Sequence, residues 1–253
     1  MTLGNLENTL IFAPGSLYSS IGILLLNETK NQDKYDLKPV KLIGQDADNT
    51  TPEFIKLNKL GLVPILIDGK DQVIPDSLAI AQFLDADDQL KSHDNKVIEQ
   101  IDKWRQFSFR FLTLAEDIKL NLSPNNNNID QLKESLDQGR KQLEQYAKEH
   151  PDVSYEERLT FHDTRSKKFL DSDFLNQHLT SWFDHLDYIN HLLEQQTHLV
   201  GNDYTLADLY ASVFLFAAQR RLYTNVFENR PYLESYFQRQ LKRPSFIQTF
   251  FKY

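Results

Sequence analysis

Residues 51–84 read TPEFIKLNKLGLVPILIDGKDQVIPDSLAIAQFL. Thr51-Pro52-Glu53 opens a short helix, because proline suits the first helical position and threonine is a capping residue. Val63-Pro64-Ile65-Leu66-Ile67 is a strand that stops at Asp68-Gly69, a hairpin signal, and Gln72-Val73-Ile74 returns. Asp76 to Leu84 is the next helix. Upstream, Thr9-Leu10-Ile11-Phe12 is a strand halted by Pro14-Gly15, Leu17 to Glu28 is a helix, and Leu37 to Leu42 alternates beside a proline as an edge strand does. The order β-α-β-α-β-β-α makes residues 1–85 an α/β unit.

Residues 86–95, ADDQLKSHDN, are polar and read as a linker. Beyond them the apolar period turns helical. Val97, Ile101, Trp104, Ser108, Phe111 and Ala115 mark one face of a single long helix, and Leu175, Leu179, Trp182, Leu186, Ile189 and Leu193 mark another. Residues 96–253 are therefore expected to be all-helical. The asparagine run at 125–128 and the charged stretch from about 150 to 170 offer little to bury, so mobile surface is expected there.

Composition narrows the chemistry. The 253 residues contain no cysteine, which removes disulfides, cysteine metal sites and cysteine nucleophiles. A formal charge of -8 disfavours contact with a phosphate backbone, so no nucleic-acid partner is expected. The strongest apolar run, Ile21 to Leu26, is too short to span a bilayer, and the N-terminus lacks a basic and then apolar leader. A cytoplasmic protein without a membrane partner is the expectation. His178, His185 and His191 sit at offsets of seven and six that do not converge on one ion, so no metal is expected. Arg220-Arg221 reads as a solvated basic pair.

The segment 51–84 closely resembles the glutathione-binding half of glutathione transferases, where a Val-Pro precedes a strand and an acidic-Ser pair, here Asp76-Ser77, opens the following helix. Leu199-Val200-Gly201 with Tyr204-Thr205-Leu206-Ala207-Asp208, then Arg230-Pro231-Tyr232-Leu233 and Arg243-Pro244-Ser245-Phe246, resemble the C-terminal half of the same family. The middle and tail are most similar to the subset holding tetrachlorohydroquinone dehalogenases and ganglioside-induced differentiation-associated proteins. The resemblance implies a thioredoxin-like N-terminal domain, an all-α C-terminal domain on the acceptor side, glutathione as co-substrate and a homodimer.

It also implies a site. Backbone groups of Val63, turned outward by a cis bond to Pro64, would hold the cysteinyl segment of glutathione as an added strand is held. Asp76 would face the ammonium of the γ-glutamyl end, and Ser77 with the helix N-terminus its carboxylate. The same two residues also suit plain helix capping. The thiol must ionise to act. Lowering its ordinary value near 8.5 by about two units needs roughly 2.7 kcal/mol, within reach of one hydroxyl donor and a helix N-terminus. Ser16, in the loop before the first helix, falls at the serine of serine-type classes, and it is equally a good N-cap. Tyr18 and Ser19 are alternatives. Without cysteine, chemistry through a protein thiol is excluded. Leu17, Trp104, Phe107, Phe111, Tyr210 and Phe214 are candidate walls of an acceptor pocket, although aromatics at helical spacing are mostly core. Thr205 to Asp208 reads as a structural capping box. The leading function is a transferase adding glutathione to small electrophilic, apolar compounds. The alternatives are a non-catalytic glutathione-binding or regulatory module and a glutathione-dependent isomerase.

Overall fold

The computed structural model describes residues 6–44, 47–69, 72–122 and 127–251. Strand β1 (Thr9–Phe12), helix α1 (Leu17–Glu28) and strand β2 (Asp36–Pro39) form a parallel crossover, with Leu10 opposite Leu37. A short 3-10 turn leads into α2 (Pro52–Leu57). Then β3 (Ile65–Asp68) and β4 (Gln72–Ile74) form the hairpin, and α3 (Ser77–Leu84) closes the unit. The sheet order is β2-β1-β3-β4, with β1–β3 and β3–β4 antiparallel. Leu10, Ile11, Ile65 and Leu66 have no exposed surface, as expected of central strands covered on both faces.

The register carries a functional consequence. Ile11 lies opposite Ile65, so the loop leaving β1 and the segment entering β3 meet at one end of the sheet. Thr51 takes the N-cap position of α2, yet its hydroxyl donates to the Asp48 carbonyl (2.8 Å) instead of capping.

The helical part comprises α4 (Asn95–Arg105), α5 (Phe109–Lys119), α6 (Asn127–Glu149), α7 (Glu156–Phe169), α8 (Ser172–Gln195), α9 (Leu206–Arg221), α10 (Pro231–Gln240) and α11 (Pro244–Phe250). The single long helix expected from Val97 to Ala115 is two helices. The Ser108 N–H leaves the helical ladder and donates to Nε2 of His178 on α8 (3.1 Å), which fixes a break at residues 106–108. Trp104, Trp182, Phe109 and Phe214 pack edge-on or tilted at centroid distances of 5.6–5.9 Å around that break.

The expectation of mobile surface at 150–170 is corrected. The stretch forms α7, which pairs with α6 as a hairpin pinned to the first domain. The Tyr155 hydroxyl donates to the Thr50 carbonyl (3.0 Å), Arg158 donates to the Leu60 carbonyl (2.9 Å), and Ile55, Leu143, Val153 and Tyr155 form a small buried cluster. Val153 and Tyr155 are spent on this contact and Phe169 on the main core, which average composition conceals. The asparagines at 125 and 126 lie outside the described residues.

At the start of α9, Asp208 is fully buried. It accepts from the Thr205 N–H (2.8 Å), the Thr205 hydroxyl (3.0 Å), the Leu199 N–H (2.9 Å) and the Tyr236 hydroxyl (2.9 Å), tying three segments of the helical domain together.

Candidate active site

Ser16 ends the loop after β1 and caps α1. Its backbone is extended, and its Oγ accepts from the Ser19 N–H at 3.4 Å, a long contact that leaves its hydroxyl proton free to donate elsewhere. Among the described residues the N–H groups of Leu17 and Tyr18 have no acceptor, so the amino end of α1 still offers donors. Ser19 is buried, and its Oγ accepts from the Ala13 N–H (3.0 Å), which commits it to shaping the loop. The Tyr18 hydroxyl donates to the Arg105 carbonyl at 3.4 Å. Burial raises the Tyr18 pKa, with nearby Asp76 adding to the effect against the opposing charge of Arg105, so the phenol is neutral and a donor at neutral pH.

Gly22 lies where α1 crosses Pro64. A Cβ at this position would stand 3.3 Å from two Pro64 carbons and 3.4 Å from Leu10, so α1 seats directly on the strand entrance. The apolar run Ile21 to Leu26 is the buried face of that contact.

The Val63-Pro64 bond is cis. The ladder begins only at Ile65, and among the described residues neither backbone group of Val63 has a hydrogen-bond partner. Asn58 holds this segment in place, its Nδ2 donating to the carbonyls of Leu62 (3.0 Å) and Pro75 (3.2 Å). One amide thereby fixes Val63 beside Asp76. Nothing in the sequence marks Asn58 beyond its position after α2.

Asp76 is doubly engaged. Its Oδ1 accepts from the N–H groups of Leu78 (2.9 Å) and Ala79 (3.2 Å), and its Oδ2 pairs with Arg105 at 2.8 Å. Ser77 is buried, and its hydroxyl lies 2.7 Å from the Tyr210 hydroxyl on α9. Both side chains at the start of α3 thus reach across to the helical domain.

Trp104, Phe107, Phe111, Tyr210 and Phe214 are at most 5% exposed and belong to the main core. They therefore do not line an open surface, while Leu17 and Tyr18 are only partly buried. Arginine is the residue type that sequence reasoning missed. Arg220 and Arg221 are both exposed, as a solvated pair is, and Arg221 also donates to the Gly15 carbonyl and lies 5.9 Å over the Phe109 ring. Arg165 donates to the Ser108 hydroxyl at 3.4 Å and faces Phe111 at 5.0 Å. The three histidines go separate ways. His178 accepts from Ser108, His185 is buried against Trp104 at 4.5 Å, and His191 sits beside Glu194.

Two family models match the chain, the glutathione S-transferase N-terminal domain over residues 15–87 and the C-terminal domain over 174–244. Among curated proteins, a tetrachloro-p-hydroquinone reductive dehalogenase of Sphingobium chlorophenolicum is 25% identical over 222 residues, 84% of each chain. A zeta-class glutathione S-transferase of Euphorbia esula is 47% identical over 51 residues, only 20% of this chain and 21% of the relative. An elongation factor 1-gamma of Oryza sativa subsp. japonica is 26% identical over 82% of this chain, which spans 40% of that longer protein. Among solved structures, a beta-etherase from a Sphingobium strain has a TM-score of 0.64 at 19% identity, covering 97% of this chain and 99% of its own. A glutathione S-transferase of Methylobacillus flagellatus, solved with GSH bound, has a TM-score of 0.60 at 17% identity over 95% of this chain and 98% of its own. The matched models take in α1 to α3 with the strands between them, and the α8–α10 part of the helical domain, and the chain belongs to the glutathione transferase superfamily.

Proposed function

We propose that this chain binds glutathione at the corner formed by the β1–α1 loop, the Val63-Pro64 segment and the start of α3, and activates its thiol for conjugation to a small electrophile. The observation that carries the reading is Ser16, a hydroxyl free to donate at the amino end of α1, at the end of the sheet where the Val63 backbone groups stand unpaired. The cysteinyl segment of glutathione pairs with Val63, which brings its sulfur to the loop. The thiol proton leaves to solvent. Ser16 donates to the sulfur, and the N-terminus of α1 adds a favourable field. Tyr18, kept neutral by burial, is the alternative donor. The thiolate then forms a carbon–sulfur bond to the acceptor as a leaving group departs or an electron pair moves onto it. With no cysteine in the chain, the sulfur chemistry belongs to glutathione alone.

One observation favours a second reading, a non-catalytic glutathione-binding module. Asp76 and Ser77 already have partners in Arg105 and Tyr210, so the γ-glutamyl end must share or displace them. A titration of bound glutathione by thiolate absorbance separates the two. A thiol pKa clearly below the free value, returning towards it in Ser16→Ala with affinity retained, supports the transferase. Binding with an unshifted thiol supports the module. Failure to bind glutathione removes both.

A further inference from the structure

Three neighbouring arginines have no carboxylate partner among the described residues. Arg158 and Arg165 lie on α7, and Arg110 lies in the first turn of α5. Their side chains surround two phenylalanine rings. Arg158 and Arg165 face Phe161 at 5.7 and 5.5 Å, and Arg110 and Arg165 face Phe169 at 5.4 and 5.5 Å. Among the described residues the only polar contact of the Arg165 guanidinium is the 3.4 Å one to Ser108, and the Nε of Arg158 is buried without a partner. Burial and the facing guanidinium groups depress the pKa of Arg158 to about 10 and lower that of Arg165. In a chain of formal charge -8 these like charges stand together, Arg158 and Arg165 half-buried and Arg110 exposed, without a counter-ion among the described residues, an arrangement that suits an anion.

The row begins where Arg158 meets the Leu60 carbonyl, three residues before Val63. It ends at Ser108, three residues past the Arg105 carbonyl that takes the Tyr18 hydroxyl. Arg165 and Tyr18 are within electrostatic reach of each other. The hairpin α6–α7 delivers Arg158 and Arg165, and α5 delivers Arg110, all from outside the two segments that the family models match. The partly exposed Phe161 ring adds apolar surface against which an aromatic body packs while its acid group meets the planar guanidinium fork.

We propose that Arg165 receives a carboxylate carried by the second substrate, making aromatic acids the acceptor class of this chain. The inference rests on the proposed function for the conjugation step, though the anion site itself stands apart from it. In that step the glutathione thiolate attacks the ring carbon bearing a halogen. The carbon–sulfur bond forms, the carbon–halogen bond breaks, and the halide leaves with the bonding pair. The thiol proton has already gone to solvent, and nothing is oxidised or reduced.

The test uses the full chain and two matched pairs of probes. Binding of nitrobenzoate and neutral nitrobenzamide is measured by calorimetry without glutathione, and conjugation of chloronitrobenzoate and chloronitrobenzamide is measured with it. The proposal expects the acid to bind about tenfold or more tightly than the amide, as a charge-assisted contact gives. It expects Arg165→Gln to erase that preference and Arg165→Lys to restore part of it, with helical circular dichroism unchanged. Acid preference without glutathione binding sinks the proposed function and leaves the anion site standing. Equal binding of acid and amide overturns the site. A loss of glutathione affinity in Arg165→Gln, with the acid preference intact, assigns the cation to a carboxylate of glutathione itself and overturns the proposal as well.

Discussion

Replacing Asp208 by alanine tests whether the start of α9 is a structural clamp separate from the chemistry. The carboxylate has no exposed surface and accepts four hydrogen bonds. Adding four charge-assisted bonds overstates the loss, because both hydroxyls can rotate. The Tyr236 hydroxyl already lies 3.5 Å from the Asp208 carbonyl. The N–H groups of Leu199 and Thr205 have no such freedom, and each orphaned buried donor costs about 1–3 kcal/mol. Asp208→Ala is therefore expected to lose about 4 kcal/mol. Asp208→Asn keeps one acceptor oxygen and should lose roughly half as much. Urea unfolding followed by tryptophan fluorescence reads the change, since Trp104 and Trp182 are both fully buried in the helical domain. For a chain of this size about 4 kcal/mol corresponds to a thermal shift on the order of 10 °C. A loss under about 1 kcal/mol in the alanine variant at an unchanged m-value would refute the reasoning. So would an asparagine variant that is stable but no longer lowers the thiol pKa of bound glutathione, which would make Asp208 part of the chemistry.

Three other outcomes follow from particular contacts. Gly22→Val places two methyl groups where a single Cβ already stands 3.3 Å from Pro64, so stability should fall by about 1–3 kcal/mol, and glutathione affinity should fall with it as Pro64 is displaced. Tyr155→Phe removes the bond to the Thr50 carbonyl at a cost of about 1 kcal/mol, and hydrogen exchange should rise in α6 and α7 more than in α8. Burial holds the His185 imidazole at about 4, below its unfolded value near 6.5, so the unfolded chain binds the extra proton between those values. Stability is thus full above about pH 6.5 and falls as pH drops, by about 2 kcal/mol at pH 5, and His185→Phe should flatten that slope in denaturant titrations run across the range.

The sheet domain was legible because each element is announced locally. Short apolar runs mark β1 and β3, alternation marks the edge strand, Pro14-Gly15 and Asp68-Gly69 mark the turns, and Asp76 caps α3 as its chemistry suggests. The Thr205–Asp208 start was legible for the same reason. Contacts between distant segments were not. Apolar spacing runs unbroken through Trp104, Ser108 and Phe111, yet the helix breaks there because the Ser108 N–H finds His178, a partner that periodicity cannot see. The hairpin α6–α7 was hidden because Val153 and Tyr155 are sparse apolar residues in a charged stretch, and their partners lie about a hundred positions upstream. The arginines were missed for a related reason. A cation is conspicuous in sequence only when clustered, and Arg105, Arg110, Arg158 and Arg165 converge only through the fold.

The engagement of Asp76 and Ser77 sharpens the demand on any ligand at the start of α3. Asp76 spends one oxygen on the helix N-terminus and the other on Arg105, and Ser77 spends its hydroxyl on Tyr210. A simple cation that took Asp76 would leave Arg105 without its carboxylate, and a simple anion that took Arg105 would leave Asp76 without its cation. A ligand end bearing an ammonium and a carboxylate on one carbon does neither, because it meets the ion pair as a second, antiparallel pair and leaves all four charges matched. Ser77 then keeps its bond to Tyr210, and the two domains remain joined while the ligand is held. In the proposed site the start of α3 would therefore favour an α-amino acid terminus by its pairing of charges, with the guanidinium supplied from the opposite domain.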